Sequence, residues 1–212
     1  DTLKDFEGAA MVGDLPFVLV CNPQMPFQNF AEFLQYARAN PNKLTNASSG
    51  NGTVSHLAME EIKRRAGLSI THVPYKGSPQ GIQDLIAGQV QVMFDNLTSI
   101  SPSVKSGKLR GLGVTTKHRS PLLPEVPTIA DAVPLPGYEV DIWQGFFGPA
   151  RMPGPIVARL NREINAALKD PQIGPKLAEQ GLDPAGTTPE AFRDIVRDDF
   201  AKWSKLVKDA NI

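Results

Sequence analysis

Between Phe17 and Thr115 the sequence repeats one pattern, a short extended apolar run followed by a stretch with helical spacing, and this repeat limits the fold more than any other feature. Phe17 to Cys21 is continuously apolar and stops at Asn22-Pro23, which predicts a strand buried on both faces of a parallel sheet. Phe30, Phe33, Leu34 and Ala37 then share one helical face, ending before Asn40-Pro41. A second strand begins at Leu44 and leads through a polar loop into a helix whose inner face carries Val54, Leu57, Ala58, Ile62 and Ala66, closed by Gly67. Ser69 to Val73 predicts the next strand, and a helix from about Pro79 turns Ile82, Leu85 and Ile86 inward before Gly88. Val90 to Phe94, a weaker helix from Ser99 to Gly107, and Leu109 to Thr115 complete the series. Alternation of this kind predicts an α/β fold with a parallel-rich sheet and helices on both sides.

The pattern then changes. Ser120 to Gly137 contains Pro121, Pro124, Pro127, Pro134 and Pro136, which predicts an ordered surface excursion without regular structure. Ile142 to Phe147 reads as one more strand. Three helices follow Pro153-Gly154-Pro155: one turning Ile156, Leu160, Ile164 and Leu168 inward, a short one from Pro171 to Gly181, and a long one from Pro189. Thr188 before Pro189 is a capping hydroxyl followed by proline at the first helical position. The long helix has Phe192, Val196, Phe200, Trp203 and Val207 on its apolar face. With one strand among them, these helices must pack on the first lobe or on strands outside this sequence.

Charge narrows the function. Lysine plus arginine and aspartate plus glutamate each number 22, so the 212-residue chain carries no basic field of the kind nucleic acid or an acidic membrane attracts. No apolar run approaches the roughly 20 residues of a membrane span. The one cysteine, Cys21, lies inside an apolar run and reads as a buried structural thiol.

Three predicted strands end in polar loops, and in an open parallel sheet ligands sit at those carboxyl ends. The first loop, Ser48-Ser49-Gly50-Asn51-Gly52-Thr53, opens a helix whose unsatisfied amides and dipole favour an anion, with Ser55 adding a further hydroxyl. The bland alternative is a tight turn at Gly50 and Gly52 with Thr53 as a helix cap. The second loop, Tyr75-Lys76-Gly77, offers either an anion contact or a solvated lysine beside a packing tyrosine. In the third, Asp95 either caps the next helix or touches ligand, and Trp143 is either core or pocket wall. His56 reads as a local hydrogen-bonding residue.

Catalysis finds little support. No His, Cys, Asp or Glu cluster has metal-ligand spacing, no cofactor is indicated, and neither a Gly-x-Ser-x-Gly elbow nor a Gly-x-x-x-x-Gly-Lys loop occurs. Ser49 and His56 as nucleophile and base lack an orienting third group, so a hydrolase or transferase acting on a small carboxylic acid derivative is the alternative reading.

Several motifs taken in order carry a resemblance: Ala47 to Leu57 (ASSGNGTVSHL), His72 to Gly77 (HVPYKG), Val92 to Asn96 (VMFDN), His118 to Thr128 (HRSPLLPEVPT) and Pro136 to Glu139 (PGYE). Together they resemble the tripartite tricarboxylate transporter substrate-binding proteins, the TctC or Bug family, in register from Asp5-Phe6 to the C-terminus. The resemblance implies a bacterial periplasmic receptor of two α/β lobes, hinged so that ligand favours closure. Such a receptor needs no cofactor; it captures a small carboxylate in an interlobe cleft and delivers it to a membrane permease. The implied ligand contacts are Ser48, Ser49, Gly50, Asn51, Gly52, Thr53, Tyr75, Lys76, Gly77, Asp95 and Trp143. Relatives begin earlier, with a signal peptide and a Pro-Phe…Gly-Gly loop. The expectation is therefore one complete lobe, residues 13–138, with residues 1–12 and 139–212 forming a second lobe that lacks its N-terminal part.

Overall fold

A computed structural model describes residues 2–132, 138, 140, 142–210 and 212. In chain order the elements are α1 (Thr2–Asp5), β1 (Phe6–Asp14), β2 (Phe17–Cys21), α2 (Phe30–Ala39), β3 (Thr45–Ser48), α3 (Val54–Ala66), β4 (Thr71–Pro74), α4 (Ser78–Ile86), β5 (Val92–Asn96), α5 (Leu97–Lys105), β6 (Arg110–Val114), α6 (Ile129–Ala132), β7 (Trp143–Pro149), α7 (Gly154–Leu168), α8 (Gly174–Glu179), β8 (Asp183–Pro184) and α9 (Pro189–Ala210). They divide into two compact units, Pro16–Asp141 with Leu206–Ile212, and Asp1–Leu15 with Ile142–Lys205. The strand–helix alternation is present as read, and the whole is a mixed α/β structure with two sheets.

The larger unit holds a five-stranded sheet in the order β4-β3-β5-β2-β6. β3 runs parallel to β4 and to β5, whereas β2 runs antiparallel to both β5 and β6. This corrects the reading of Phe17 to Cys21 as a parallel strand. An unbroken apolar run reports burial on two faces, and a strand flanked on both sides inside a mixed sheet is buried just as fully. Residues of alternating parity serve the two faces: Val18, Val20, Ala47 and Met93 join Leu85, Leu97 and Ile100 in one apolar cluster, and Leu19, Cys21 and Phe94, of the other parity, are also fully buried. Burial pushes the Cys21 thiol up to about 11 despite the guanidinium of Arg110 nearby, so it is a packing residue and no nucleophile.

Two expectations for this unit need correction. Ile86 is 36% exposed because it follows the fully buried Leu85 by one residue at the end of α4 and so points away from the face that Leu85 turns to the core. The proline-rich segment is no simple surface excursion either, since Leu123, Val126 and Ile129 are buried and α6 forms within it. Its prolines forbid long elements, yet the apolar residues between them still cover the β6 side of the core. Pro134, Pro136, Gly137 and Glu139, named in the same reading, lie outside the described residues.

The smaller unit is built on β1, a nine-residue strand that the sequence reading did not anticipate. Its order is β7-β1-β8, with antiparallel pairing throughout and register shifts in the β1–β7 ladder at Gly8/Ala10 and Met11/Gly13. Two bulge-like shifts break the strict alternation from which a strand is recognised. Phe192 of α9 lies fully buried on this sheet, where a Cβ on Gly145 or Gly8 would come within 2.2 Å or 2.9 Å of its ring. Trp143 meets the same ring edge-on at 5.1 Å, and Phe147 lies at 5.1 Å from it. Asn161 of α7 donates to the carbonyls of Ala9 and Thr187, tying that helix to β1. Thr188 caps α9 as read, accepting from the Ala191 amide at 3.2 Å.

The helical faces expected to be inward are only partly so. Ile156 and Leu160 are 49% and 40% exposed, with Val157 the buried residue of α7, and Phe200 is 46% exposed. A three-stranded sheet with one two-residue strand cannot cover three helices, so the apolar faces exceed the surface available in their own unit.

Candidate functional site

The sheet order β4-β3-β5 sets three loops side by side, because the three strands are parallel and their C-terminal ends all point the same way. These are Ser48–Thr53 after β3, Tyr75–Gly77 after β4, and Asp95–Asn96 at the end of β5. Trp143 belongs to the smaller unit, where its indole N–H donates to Asp199 at 2.6 Å and its ring packs on Phe192.

The first loop is folded by its own hydrogen bonds. The Gly50 carbonyl accepts from Thr53 Oγ1 at 2.8 Å and from the Thr53 amide at 3.4 Å, and Ser49 Oγ donates to Thr53 Oγ1 at 3.2 Å. Gly50 N–H donates to Ser48 Oγ, and Gly52 N–H donates to His56 Nδ1, both at 3.2 Å. Thr53 stands at the N-cap position of α3, but its hydroxyl turns back into the loop instead of capping the helix. The amides of Ser49, Asn51, Val54 and Ser55 are left without an acceptor among the described residues. Unmet donors just before and in the first turn of a 13-residue helix are the kind of group that can hold an oxyanion. Ser48 is fully buried and structural, while Ser55 Oγ ties α3 to β5 by donating to the Phe94 carbonyl.

In the second loop, Tyr75 is half-buried with its hydroxyl donating to Asp84 at 2.7 Å. Burial and that carboxylate push its ionisation up to about 12. Lys76 is exposed, and Gly77 precedes the first turn of α4. In the third, the helix cap is Asn96, whose side chain accepts from the Ser99 amide at 2.9 Å. Asp95 points elsewhere, since alternate residues of a strand face opposite sides. Its Oδ1 accepts from Ser78 Oγ at 3.0 Å and from the Asn96 amide at 2.7 Å, and its Oδ2 is buried without a partner among the described residues. Burial raises the carboxyl, and those two donors offset part of the rise.

The sequence reading missed His72. Its ring stacks on that of His56 with centroids 3.7 Å apart and planes 8° from parallel, and its Nε2 lies 2.6 Å from Ser48 Oγ. The signal available was weak, because β4 is only four residues long and pairing of Asn46 with His72 is a property of register. Burial and the neighbouring His56 lower the His72 ring to about 4, against the pull of Glu60. Burial also lowers His56, again opposed by Glu60, with Lys63 adding to the lowering. Both folded values lie below the ordinary 6.5, so the unfolded chain binds more protons as pH falls from there toward 4. The pair therefore contributes stability that is full above about 6.5 and is lost on acidification through that window. Urea midpoints should fall between about pH 7 and pH 4.5, and His72→Gln should flatten that fall. An equally steep fall in the variant would assign the acid sensitivity to other groups.

No group of three or more His, Cys, Asp or Glu among the described residues is placed to hold a metal, and no helix of them is long and apolar enough to cross a membrane.

Comparison with known proteins converges on one family. The family model described as the tripartite tricarboxylate transporter family receptor matches residues 1–212. A UPF0065 protein from the tcbD–tcbE intergenic region of Pseudomonas sp. (strain P51) is 42% identical over 204 residues, covering 96% of this chain and 61% of that protein. Protein BugT of Bordetella pertussis is 31% identical over 207 residues, covering 98% of this chain and 63% of BugT. This chain thus spans about three-fifths of the length of these relatives. Among solved structures, an R. palustris protein with adipate superposes with a TM-score of 0.88 at 36% identity, over 100% of this chain and 71% of that one. MatC from Rhodopseudomonas palustris with bound malate gives a TM-score of 0.81 at 29% identity, over 97% of this chain and 70% of MatC.

Proposed function

Because the chain belongs to the tripartite tricarboxylate transporter family of receptors, we propose that it is a periplasmic solute receptor that captures a small carboxylate and delivers it to a membrane permease. The observation that carries this is the Ser48–Thr53 loop, with the amides of Ser49, Asn51, Val54 and Ser55 unmet at the start of α3. Two relatives solved with dicarboxylates, adipate and malate, support the ligand class. Within this proposal residues 13–138 are the complete lobe and residues 1–12 and 139–212 belong to the other. Of the remaining predicted contacts, Lys76 supplies charge at the rim, and the buried Asp95 acts from the adjoining strand end.

Calorimetric titration with adipate and malate tests the reading. Ser49 and Thr53 spend their hydroxyl hydrogens on Thr53 Oγ1 and the Gly50 carbonyl, so Ser49→Ala and Thr53→Ala act through the loop that presents the amides and should each weaken binding by about 0.5–1.5 kcal/mol, the net worth of one such bond. The two hydroxyls touch each other, so the double variant should lose less than the sum. Unchanged affinity in both single variants would take these side chains out of the site.

The alternative, a hydrolase, has one observation in its favour, the 2.6 Å contact of Ser48 Oγ with His72 Nε2. Ser48 is 0% exposed, and no carboxylate among the described residues is bonded to the His72 ring to orient it as a base. Ester and amide substrates should therefore show no turnover, and steady hydrolysis that disappears in Ser48→Ala would sink the receptor reading.

A further inference from the structure

Two imidazoles reach the carboxylate loop, one from the strand beside it and one from the helix that follows it. His72 contacts the loop's first residue, with Nε2 at 2.6 Å from Ser48 Oγ. His56 contacts its fifth residue, accepting the Gly52 N–H at Nδ1. The rings themselves are face to face at 3.7 Å. We infer that His56 and His72 are paired positioning residues, a stacked clamp that fixes both ends of the Ser48–Thr53 loop and so aims the unmet amides of Ser49 and Asn51 at a carboxylate. The inference rests on the receptor reading of that loop.

The hydrogen count is consistent. Ser48 Oγ accepts the Gly50 N–H and donates its one hydrogen to the Gly50 carbonyl, so its contact with His72 is completed by a hydrogen on the ring's Nε2. His56 must present a bare Nδ1 to Gly52, which places its hydrogen on Nε2, facing Glu60 Oε1 at 3.6 Å. Glu60 is in turn held by Lys63 at 2.6 Å. Each ring therefore spends one nitrogen on the loop, and a histidine that served only to pack would need neither contact. Two neutral rings stack without repulsion, and burial keeps both neutral near neutral pH. The clamp also has a cost in donors: the Gly52 amide, expected to face ligand, is consumed by it.

The test separates the clamp from the receptor reading by measuring each on the 212-residue chain. Amide hydrogen exchange without ligand reads the clamp, and calorimetry with adipate reads its effect on binding. In His56→Phe, which keeps an aromatic ring but has no acceptor, Gly52 exchange should rise about five- to tenfold and adipate affinity should fall by a similar factor, as for one lost hydrogen bond. His56→Asn, whose Oδ1 can stand where Nδ1 stood, should restore both to within about threefold. At the Ser48 end, read at the Gly50 amide, His72→Phe should likewise speed exchange and lower affinity, and His72→Gln, whose Nε2 can donate to Ser48 Oγ, should restore both. Circular dichroism checks that each variant folds, and the Asn and Gln variants keep the test open if a Phe variant does not. Unchanged exchange in both Phe variants would overturn the clamp, as would faster exchange with unaltered affinity. Failure of the parent chain to bind adipate or malate would instead remove the receptor reading, a result the exchange data do not depend on.

Discussion

Phe192→Ala is expected to destabilise the smaller unit by about 3–5 kcal/mol, the cost of deleting a fully buried phenylalanine. Its ring fills the space left by two glycines on neighbouring strands and meets Trp143 and Phe147 at 5.1 Å each, so its loss leaves a void that rigid backbone cannot close. A domain has only about 5–15 kcal/mol in hand, so this one substitution should remove a fifth or more of it. The readout is built into the composition. Both tryptophans, Trp143 and Trp203, lie in the smaller unit, and the three tyrosines, Tyr36, Tyr75 and Tyr138, lie in the larger. Tryptophan fluorescence in urea should therefore show the midpoint moving down by about 1–5 M, given slopes of about 1–3 kcal/mol/M. A shift below about 0.3 M would mean that Phe192 is not the centre of that unit's packing.

Gly50→Ala is expected to weaken adipate binding by about ten- to a hundredfold while leaving the sheet intact. The φ of Gly50 is 141°, a conformation closed to L side chains, and forcing it costs about 1–3 kcal/mol. Space is not the difficulty, because a Cβ there would meet only ordinary contacts at 3.5 Å. Relieving that strain requires rotating the 49–50 peptide, which withdraws the Gly50 N–H from Ser48 Oγ and disturbs the turn that presents the Asn51 amide. Gly52→Asn is the control. Its φ of 71° lies in the left-handed region that asparagine tolerates, and nothing lies within 4 Å of the added Cβ. That variant should bind within about threefold of the parent. Equal losses in both variants would show that the loop's backbone geometry is not what holds the carboxylate.

The larger unit was legible because its information is local. Apolar runs of strand length, helical spacing and loop residues between them follow from burial on two faces of one sheet, and each run carries its own signal. Strand direction was not legible, and Phe17 to Cys21 reads the same whether its neighbours run with it or against it. Nor was β1, where register shifts at Gly8 and Gly13 scramble the alternation and pairing with β7, more than a hundred residues away, supplies the stability.

The site divides in the same way. The residues of Ser48–Thr53, the helix start behind them and the placement of Tyr75 and Asp95 at strand ends were determined by sequence alone, because glycines, hydroxyls and helix onset lie within one short segment. Only the tertiary structure decided which donors remain available. Ser48 gives its hydrogen to the Gly50 carbonyl and is held by His72, the Gly52 amide is spent on His56 and the Tyr75 hydroxyl on Asp84, each contact made across a turn, a strand pair or a strand–helix connection. Hydrogen-bond capacity is spent on whichever partner folding brings within reach, and the His56–His72 stack, joining residues 16 apart in the chain, exists only because β4 lies beside β3.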